Sequence, residues 1–402
     1  MEITANREAL AIQGGVPVRA TLLPYGRQSI DETAIQAVVD TLRSDWLTTG
    51  PKVAEFEEAF AIAVGAKFAV SFSSGTAALH GAAFTAGLAP GDEAVTTPMT
   101  FCATANCVLY QGAKPVFADV SSDTLNLDPA QVSARISPRT KVILPVDYSG
   151  HAADLDTLLG IAEQHGLIVI EDASHALGGE YRERRIGSVA HMTTFSLHPV
   201  KHLTTGEGGM VTTSRGDLAE TLRRFRNHGI SSDARHRQSA GQWHYEMVLL
   251  GMNYRLPDIN CALGLSQLKG LAANLTRRRE IAAVYNSRLA TLPGLILPAV
   301  RVDVNPAWHL YPVRVDASQL TVGRAEVFRA LRAENIGVNV HYIPVHLHPY
   351  YRECFGFKGG EYPVAEAAYE GLISLPMFHA MTHQDVEDVI HAMHKVLEYY
   401  AR

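Results

Sequence analysis

An α/β fold built on a mainly parallel sheet is what this sequence predicts, and three features carry that expectation. Short apolar runs such as Leu167-Ile168-Val169-Ile170 have the unbroken hydrophobicity of strands buried on both faces. Stretches of helical periodicity fill the gaps between such runs through about residue 215, the alternation that a sheet covered on both faces requires. The runs end in turns rich in Ser, Gly, Thr and Asp, at the edge where open α/β sheets place their ligand crevice.

Taken in order, Ser29-Ile30-Asp31-Glu32 matches a capping box, and the helix behind it carries Ile35, Val38, Val39 and Leu42 and ends near Arg43-Ser44. A loop over 46–51 leads to an amphipathic helix (Val53, Phe56, Phe60) that runs to about Val64. Residues 68–72 read as a strand, and Ser73-Ser74-Gly75-Thr76 turns it into an Ala-rich helix that stops near Pro90-Gly91. Free N–H groups at the start of such a helix suit a phosphate, although the stretch reads equally as a plain tight turn and no Gly-Lys-Ser/Thr follows as in a P-loop. The strand 93–98 delivers Phe101 to the next helix, where an aromatic either packs in the core or covers a flat ring. Strands at 116–120 and 142–147 and helices at about 129–136 and 153–165 repeat the unit.

Downstream, 208–213 reads as a strand and 222–226 as part of a basic helix, while 231–242 is polar and aperiodic, the texture of a mobile loop. A long helix is expected from Pro257 to about Leu289, with Arg277-Arg278-Arg279-Glu280 as a solvated face. From about Leu295 the pattern changes to short strands and helices, closing with a helix near 384–400. The division that follows is a large domain over 1–265 and a smaller α+β domain over 266–402.

Composition narrows the function. With 402 residues, 47% of them apolar, and a formal charge of −6, the chain has ample core and no basic block for nucleic acid or an anionic membrane. No apolar run reaches the roughly 18 residues of a membrane helix, and Met1 to Arg7 lacks signal-peptide texture, so the cytoplasm is the expected location. Cys102, Cys107, Cys261 and Cys354 show no metal-ligand spacing and read as buried thiols; no metal is expected.

Chemistry concentrates in Phe195-Ser196-Leu197-His198-Pro199-Val200-Lys201 and the Thr204-Thr205-Gly206-Glu207-Gly208-Gly209 turn after it. A lysine becomes a covalent catalyst where burial or nearby positive charge makes its ammonium lose a proton easily. The bland alternative, a surface lysine, weakens beside Asp172, which ends the apolar run at 167–170 and so points into the crevice. Aspartate and lysine in this relation suggest pyridoxal 5'-phosphate (PLP), with Asp172 keeping the pyridine nitrogen protonated and Lys201 bonding the cofactor. His198 reads as a packing residue or a substrate contact.

With these stretches in view, the sequence resembles the PLP-dependent sugar aminotransferases of the DegT/DnrJ/EryC1/StrS family over nearly its whole length, from Leu47-Thr48-Thr49-Gly50 to Ser374-Leu375-Pro376. Val146-Asp147-Tyr148-Ser149-Gly150 and Ala262-Leu263-Gly264-Leu265-Ser266-Gln267-Leu268 resemble the C4 aminotransferases of pseudaminic acid biosynthesis in particular. The resemblance implies fold type I (aspartate aminotransferase-like) architecture, with PLP bound by the large domain. It makes Lys201 the cofactor-bearing base, Asp172 the pyridine partner and His175 a residue beside the cofactor's phenolic oxygen. It also implies that Ser196, Gly75 and Thr76 bind phosphate, that Phe101 stacks on the ring, and that Asn253 reaches a phosphate across a homodimer interface. The implied substrates are L-glutamate and a nucleotide-linked 4-keto-6-deoxy sugar, held by loops after Leu47, at 231–242 and at His341-Tyr342-Ile343-Pro344. Asp147, if it reaches the site, should face sugar hydroxyls or an amide; otherwise it only satisfies nearby backbone at a strand end. Rival readings are a C3 sugar or cyclitol aminotransferase and a non-catalytic PLP-binding regulator, for which no DNA-binding extension is visible.

Overall fold

The computed structural model describes residues 8–231, 237 and 241–402. Most of the 231–242 segment and the segment before residue 8 therefore lie outside the described residues, and with them the expectations of a mobile loop and of an N-terminus without a signal.

Helix α1 (Glu32–Leu42) begins two residues later than the capping-box reading requires. Asp31 is its N-cap and accepts from the Ala34 N–H at 2.8 Å, so the shorter carboxylate displaces Ser29 from that role. Pro51 opens α2 (Pro51–Val64), where a missing N–H costs nothing, and Gly65 at φ 72° ends it.

The central sheet is assembled from β1 (Phe68–Phe72), β2 (Glu93–Thr96), β3 (Lys114–Phe117), β4 (Thr140–Leu144), β5 (Ile168–Asp172), β8 (Met192–Ser196) and β9 (Gly209–Thr213) in the order β1-β9-β8-β5-β4-β2-β3. All its neighbours pair in parallel except around β9, which runs antiparallel to both β1 and β8. The predicted mainly parallel sheet is thus present, and β1, β2, β5 and β8 all end at the same edge. Two short strands, β6 (Glu180–Tyr181) and β7 (Arg184–Arg185), form a hairpin off this body. Helices α3 (Gly75–Thr85), α4 (Cys102–Tyr110), α5 (Pro129–Ser133), α6 (Leu155–His165) and α7 (Gly216–Phe225) cover the sheet, and separate hydrophobic clusters fill its two faces.

The expected single helix from Pro257 is two, α8 (Asp258–Lys269) and α9 (Leu271–Leu289), broken at Gly270. The arginine run on α9 is a correction as well. Arg278 is 1% exposed and donates to the carbonyls of Trp308 (3.0 Å), His309 (3.3 Å) and Met377 (3.0 Å). Its neighbours also reach the protein: Arg277 donates to the Met381 carbonyl and Arg279 to those of Pro306 and Gly178. Arg278 shares a face with buried Ile281, Ala282, Tyr285 and Leu289, and that spacing was the sequence signal for its burial.

The C-terminal part holds a second, three-stranded antiparallel sheet of β10 (Leu295–Ile296), β12 (Tyr311–Val315) and β13 (Leu372–Leu375), while β11 (Val304–Asn305) pairs back to β6. Helices α10 (Arg324–Ala333), α11 (Pro349–Phe355), α12 (Pro363–Gly371) and α13 (His383–Tyr400) complete it. Its core draws in Leu10 and Leu23 from the start of the chain, and a further cluster joins Met99, Ala105 and Phe117 to Val345, Tyr351 and Ala365. Cysteines are all free, but Cys354 is exposed and Cys102 only half-buried, so just Cys107 and Cys261 match the expectation of buried thiols. Among the described residues no helix is long and apolar enough to cross a membrane.

Candidate active site

Where β1, β2, β5 and β8 end, their following turns enclose a cavity of about 510 Å³. Gly75, Thr76, Phe101, Asp172, His175, Ser196, His198 and Lys201 all line it, joined by Tyr25, His309, His341 and Tyr342. Sequence positions spread over three hundred residues meet here because the parallel strands deliver their C-terminal ends to one edge.

At one end stands the start of α3. Ser74 caps it by accepting from the Ala77 N–H at 3.1 Å, and the Gly75 and Thr76 N–H groups in the first turn have no intrahelical acceptor. Ser196 lies against them so closely that a Cβ on Gly75 would meet the Ser196 Cβ at 3.0 Å and its Oγ at 3.2 Å. Behind the turn, a Cβ on Gly209 would meet the Ser74 carbonyl oxygen at 2.3 Å, so β9 must carry glycine for this approach. Two hydroxyls and free amides at a helix N-terminus form an anion cradle.

Asp172, buried at the floor, accepts from Thr104 Oγ1 (2.7 Å) on one oxygen and from Ser174 Oγ (2.6 Å) and N–H (3.1 Å) on the other. Phe101 is the N-cap residue of α4 and is exposed, with its ring 6.0 Å from that of Tyr342; it borders the cavity instead of packing in the core. His198 is likewise exposed at the cavity, which corrects the packing reading, and its carbonyl accepts from the Lys201 N–H at 2.9 Å.

Lys201 is half-buried, and its Nζ lies 3.3 Å from His309 Nε2. Burial lowers its pKa to about 8; the Arg278 charge pushes the same way and Asp172 opposes both. His175 Nε2 meets the Tyr342 hydroxyl at 2.9 Å, and its ring centre is 4.5 Å from that of His309. Desolvation holds both imidazoles well below the usual histidine range, with Lys201 adding to it, so both are neutral at pH 7. His309 and Arg278 were invisible as site residues in the sequence; the only hint was the buried periodicity of α9.

Two expectations fall outside the cavity. Asn253 is exposed and forms a bridge with Asn227 away from the lining residues, so one chain does not bring it to the others. Asp147 is fully buried, accepts from the Ala153 N–H at 2.9 Å and faces Glu171, so it touches no cavity and cannot read a sugar.

Comparison with known proteins adds the decisive observation: the DegT/DnrJ/EryC1/StrS aminotransferase family matches residues 28–394. The chain belongs to that family. This sugar aminotransferase is 46% identical over 385 residues to SpsC of Bacillus subtilis, a spore coat polysaccharide biosynthesis protein, covering 95% of this chain and 99% of SpsC. Among solved structures, Spr1654 of Streptococcus pneumoniae in its PMP form has a TM-score of 0.88 at 32% identity, covering 94% of this chain and 99% of that one. Its PLP form matches with the same TM-score. Helicobacter pylori PseC, an aminotransferase involved in the biosynthesis of pseudoaminic acid, also has a TM-score of 0.88 at 32% identity, over 94% of this chain and all of PseC (100%).

The enzyme therefore depends on PLP and has the fold type I architecture. Its cavity suits that cofactor: an anion cradle at one end, a carboxylate at the floor, an exposed aromatic ring at the side and an amine of lowered pKa.

Proposed function

We propose that the enzyme moves an amino group from L-glutamate to a nucleotide-linked 4-keto-6-deoxy sugar, UDP-2-acetamido-2,6-dideoxy-β-L-arabino-hexos-4-ulose in the first instance. The observation that carries the reaction is the cavity itself, with Lys201, Asp172 and the α3 cradle on three of its sides. The likeness to PseC supports the sugar, and the Val146-Asp147-Tyr148-Ser149-Gly150 stretch no longer does, because Asp147 is buried away from the site. SpsC favours a second reading, another keto sugar of the same broad class destined for a polysaccharide.

PLP, when bound, supplies an electron sink through its pyridine ring. In this reading Asp172 would keep a proton on the ring nitrogen, its carboxyl group oriented by hydrogen bonds from Thr104 and Ser174. Gly75, Thr76 and Ser196 would hold its phosphate, Phe101 would cover its ring and His175 would contact its phenolic oxygen. Lys201 would hold the cofactor covalently and would act as the base and acid toward the substrate carbon. The working form is a cytoplasmic homodimer in which Asn253 completes the partner's phosphate site.

Glutamate added to the PLP-loaded enzyme should yield 2-oxoglutarate in a single turnover, and Lys201→Ala should abolish it. Amino transfer is then compared among the L-arabino UDP sugar, its D-xylo isomer and a dTDP-4-keto-6-deoxyglucose. A kcat/KM preference for the dTDP sugar over both UDP sugars overturns the substrate and leaves amino transfer standing.

A further inference from the structure

Among the described residues, Lys201 Nζ has one hydrogen-bond partner, His309 Nε2 at 3.3 Å. Asp172 is the nearby counter-charge, yet both its oxygens are engaged by Thr104 and Ser174. The charged and titratable groups around His309 are Lys201, His175, His202 and Arg278, and none is acidic. An imidazole only 5% exposed in such company stays neutral, and in the tautomer with its proton on Nδ1, which has no hydrogen-bond partner among the described residues, it offers its Nε2 lone pair to Lys201.

The fold fixes this ring from several sides. Trp308, the residue before it, sits at φ 51°, a left-handed conformation costly for a bulky side chain. The wholly buried Arg278 clasps the carbonyls of Trp308 and His309 together with that of Met377. Gly150 fits beneath, where a Cβ would meet the Trp308 N at 2.7 Å and the His309 N at 3.1 Å. The ring centres of His175 and His202 lie 4.5 Å and 5.6 Å away. A buried cation, a strained backbone and a glycine approach thus converge on holding one imidazole still.

We propose that His309 is the positioning residue for the catalytic lysine, its neutral imidazole accepting one Nζ–H and so aiming the remaining face of the amine into the cavity. This rests on the reading of Lys201 as the cofactor-bearing base. No proton changes hands between the two: the imidazole is the weaker base here, and the proton that moves stays with Lys201. What His309 supplies is direction, since an amine free to rotate about its last carbon presents its lone pair to the reacting carbon only part of the time.

The test compares His309→Leu, which has no acceptor, with His309→Gln, whose amide oxygen can accept from Nζ. Both are measured beside wild type and Lys201→Ala. For the PLP-loaded proteins, the rate of a single turnover with glutamate and the cofactor retained after gel filtration are recorded. For the apo-proteins, the pH dependence of Lys201 modification by a small amine reagent is followed by peptide mass spectrometry, which gives the Nζ pKa without catalysis. The leucine variant should keep its cofactor and lose about 10²-fold in rate. Its Nζ pKa should fall below that of wild type, because an acceptor that favours the ammonium is gone. The glutamine variant should recover at least tenfold of the lost rate. Should the leucine variant unfold, His309→Asn, with an amide too short to reach Nζ, is held to the same outcomes. A leucine or asparagine variant within threefold of wild-type rate and with unchanged Nζ pKa overturns the proposal. Normal turnover by Lys201→Ala instead sinks the underlying reading, whatever His309 does.

Discussion

Glu171 and Asp147 are two carboxyl groups sealed beneath the sheet with no cation between them. Thr193 Oγ1 donates to Glu171 at 2.6 Å and the Ala153 N–H donates to Asp147 at 2.9 Å, while the other oxygen of each has no further partner. Desolvation pushes both pKa values up, Glu171 to about 7, and the charge of Glu171 raises that of Asp147 further. The consequence for stability has a definite sign. Between about pH 4.5 and 7 the unfolded chain has released the Glu171 proton and the native one has not, so stability falls as pH rises through that window. Glu171→Gln keeps the shape and donates an N–H to Asp147 without titrating. Urea unfolding at pH 5 and pH 8 should show a loss of stability in wild type that exceeds the variant's by about 2 kcal/mol. Equal losses in the two proteins would mean that the pair holds no such proton.

At the scale of elements, the approach of β9 to the start of α3 is what builds the anion cradle, and it tolerates no side chain at Gly209. A methyl group there would lie 2.3 Å from the Ser74 carbonyl oxygen and 2.9 Å from the Gly75 nitrogen, both backbone atoms that can yield only by moving the helix start. Gly209→Ala should therefore weaken PLP binding at least tenfold in an absorbance titration and lower stability by about 1–3 kcal/mol. Gly160→Ala in α6, where an added methyl meets nothing within 4 Å, is the matched control, and an equal PLP affinity in the two variants would contradict the argument. Elements of this kind were the legible part of the sequence. Strand β5 announces itself because a buried parallel strand is apolar along most of its length, and the residue at its end faces the crevice, which is how Asp172 could be picked out, whereas Ser196 came only with the family resemblance. His309 and Arg278 could not be picked out, since their roles depend on packing between α9 and the segment before β12, contacts that no local pattern encodes. Of the two readings of Asp147, the structure shows the one in which it satisfies nearby backbone at a strand end, because the face toward which its side chain turns is set by Glu171 and Ala153.

For the whole molecule, the position of Asn253 bears on assembly. It is exposed, it is absent from the cavity of its own chain, and it follows a segment whose apolar side chains are bare: Trp243 is 83% exposed, Met247 68% and Leu250 74%. Side chains of that size seldom remain in water together, and under the homodimer proposal a second copy of the chain would cover them and give Asn253 a phosphate to hold. The homodimer proposal can be separated from simple association by complementation. A Lys201→Ala subunit paired with an Asn253→Ala subunit forms one site carrying both defects and one carrying neither, if the sites are shared. Each parent variant alone should be inactive, and the mixture after subunit exchange should recover up to a quarter of wild-type activity, because half the dimers are mixed and each has one intact site of two. If asparagine acts only within its own chain, every site in the mixed dimer carries one defect and no activity returns. Exchange confirmed by mass spectrometry with no recovered activity would therefore place Asn253 outside the partner's site, even in a protein that is a dimer by sedimentation.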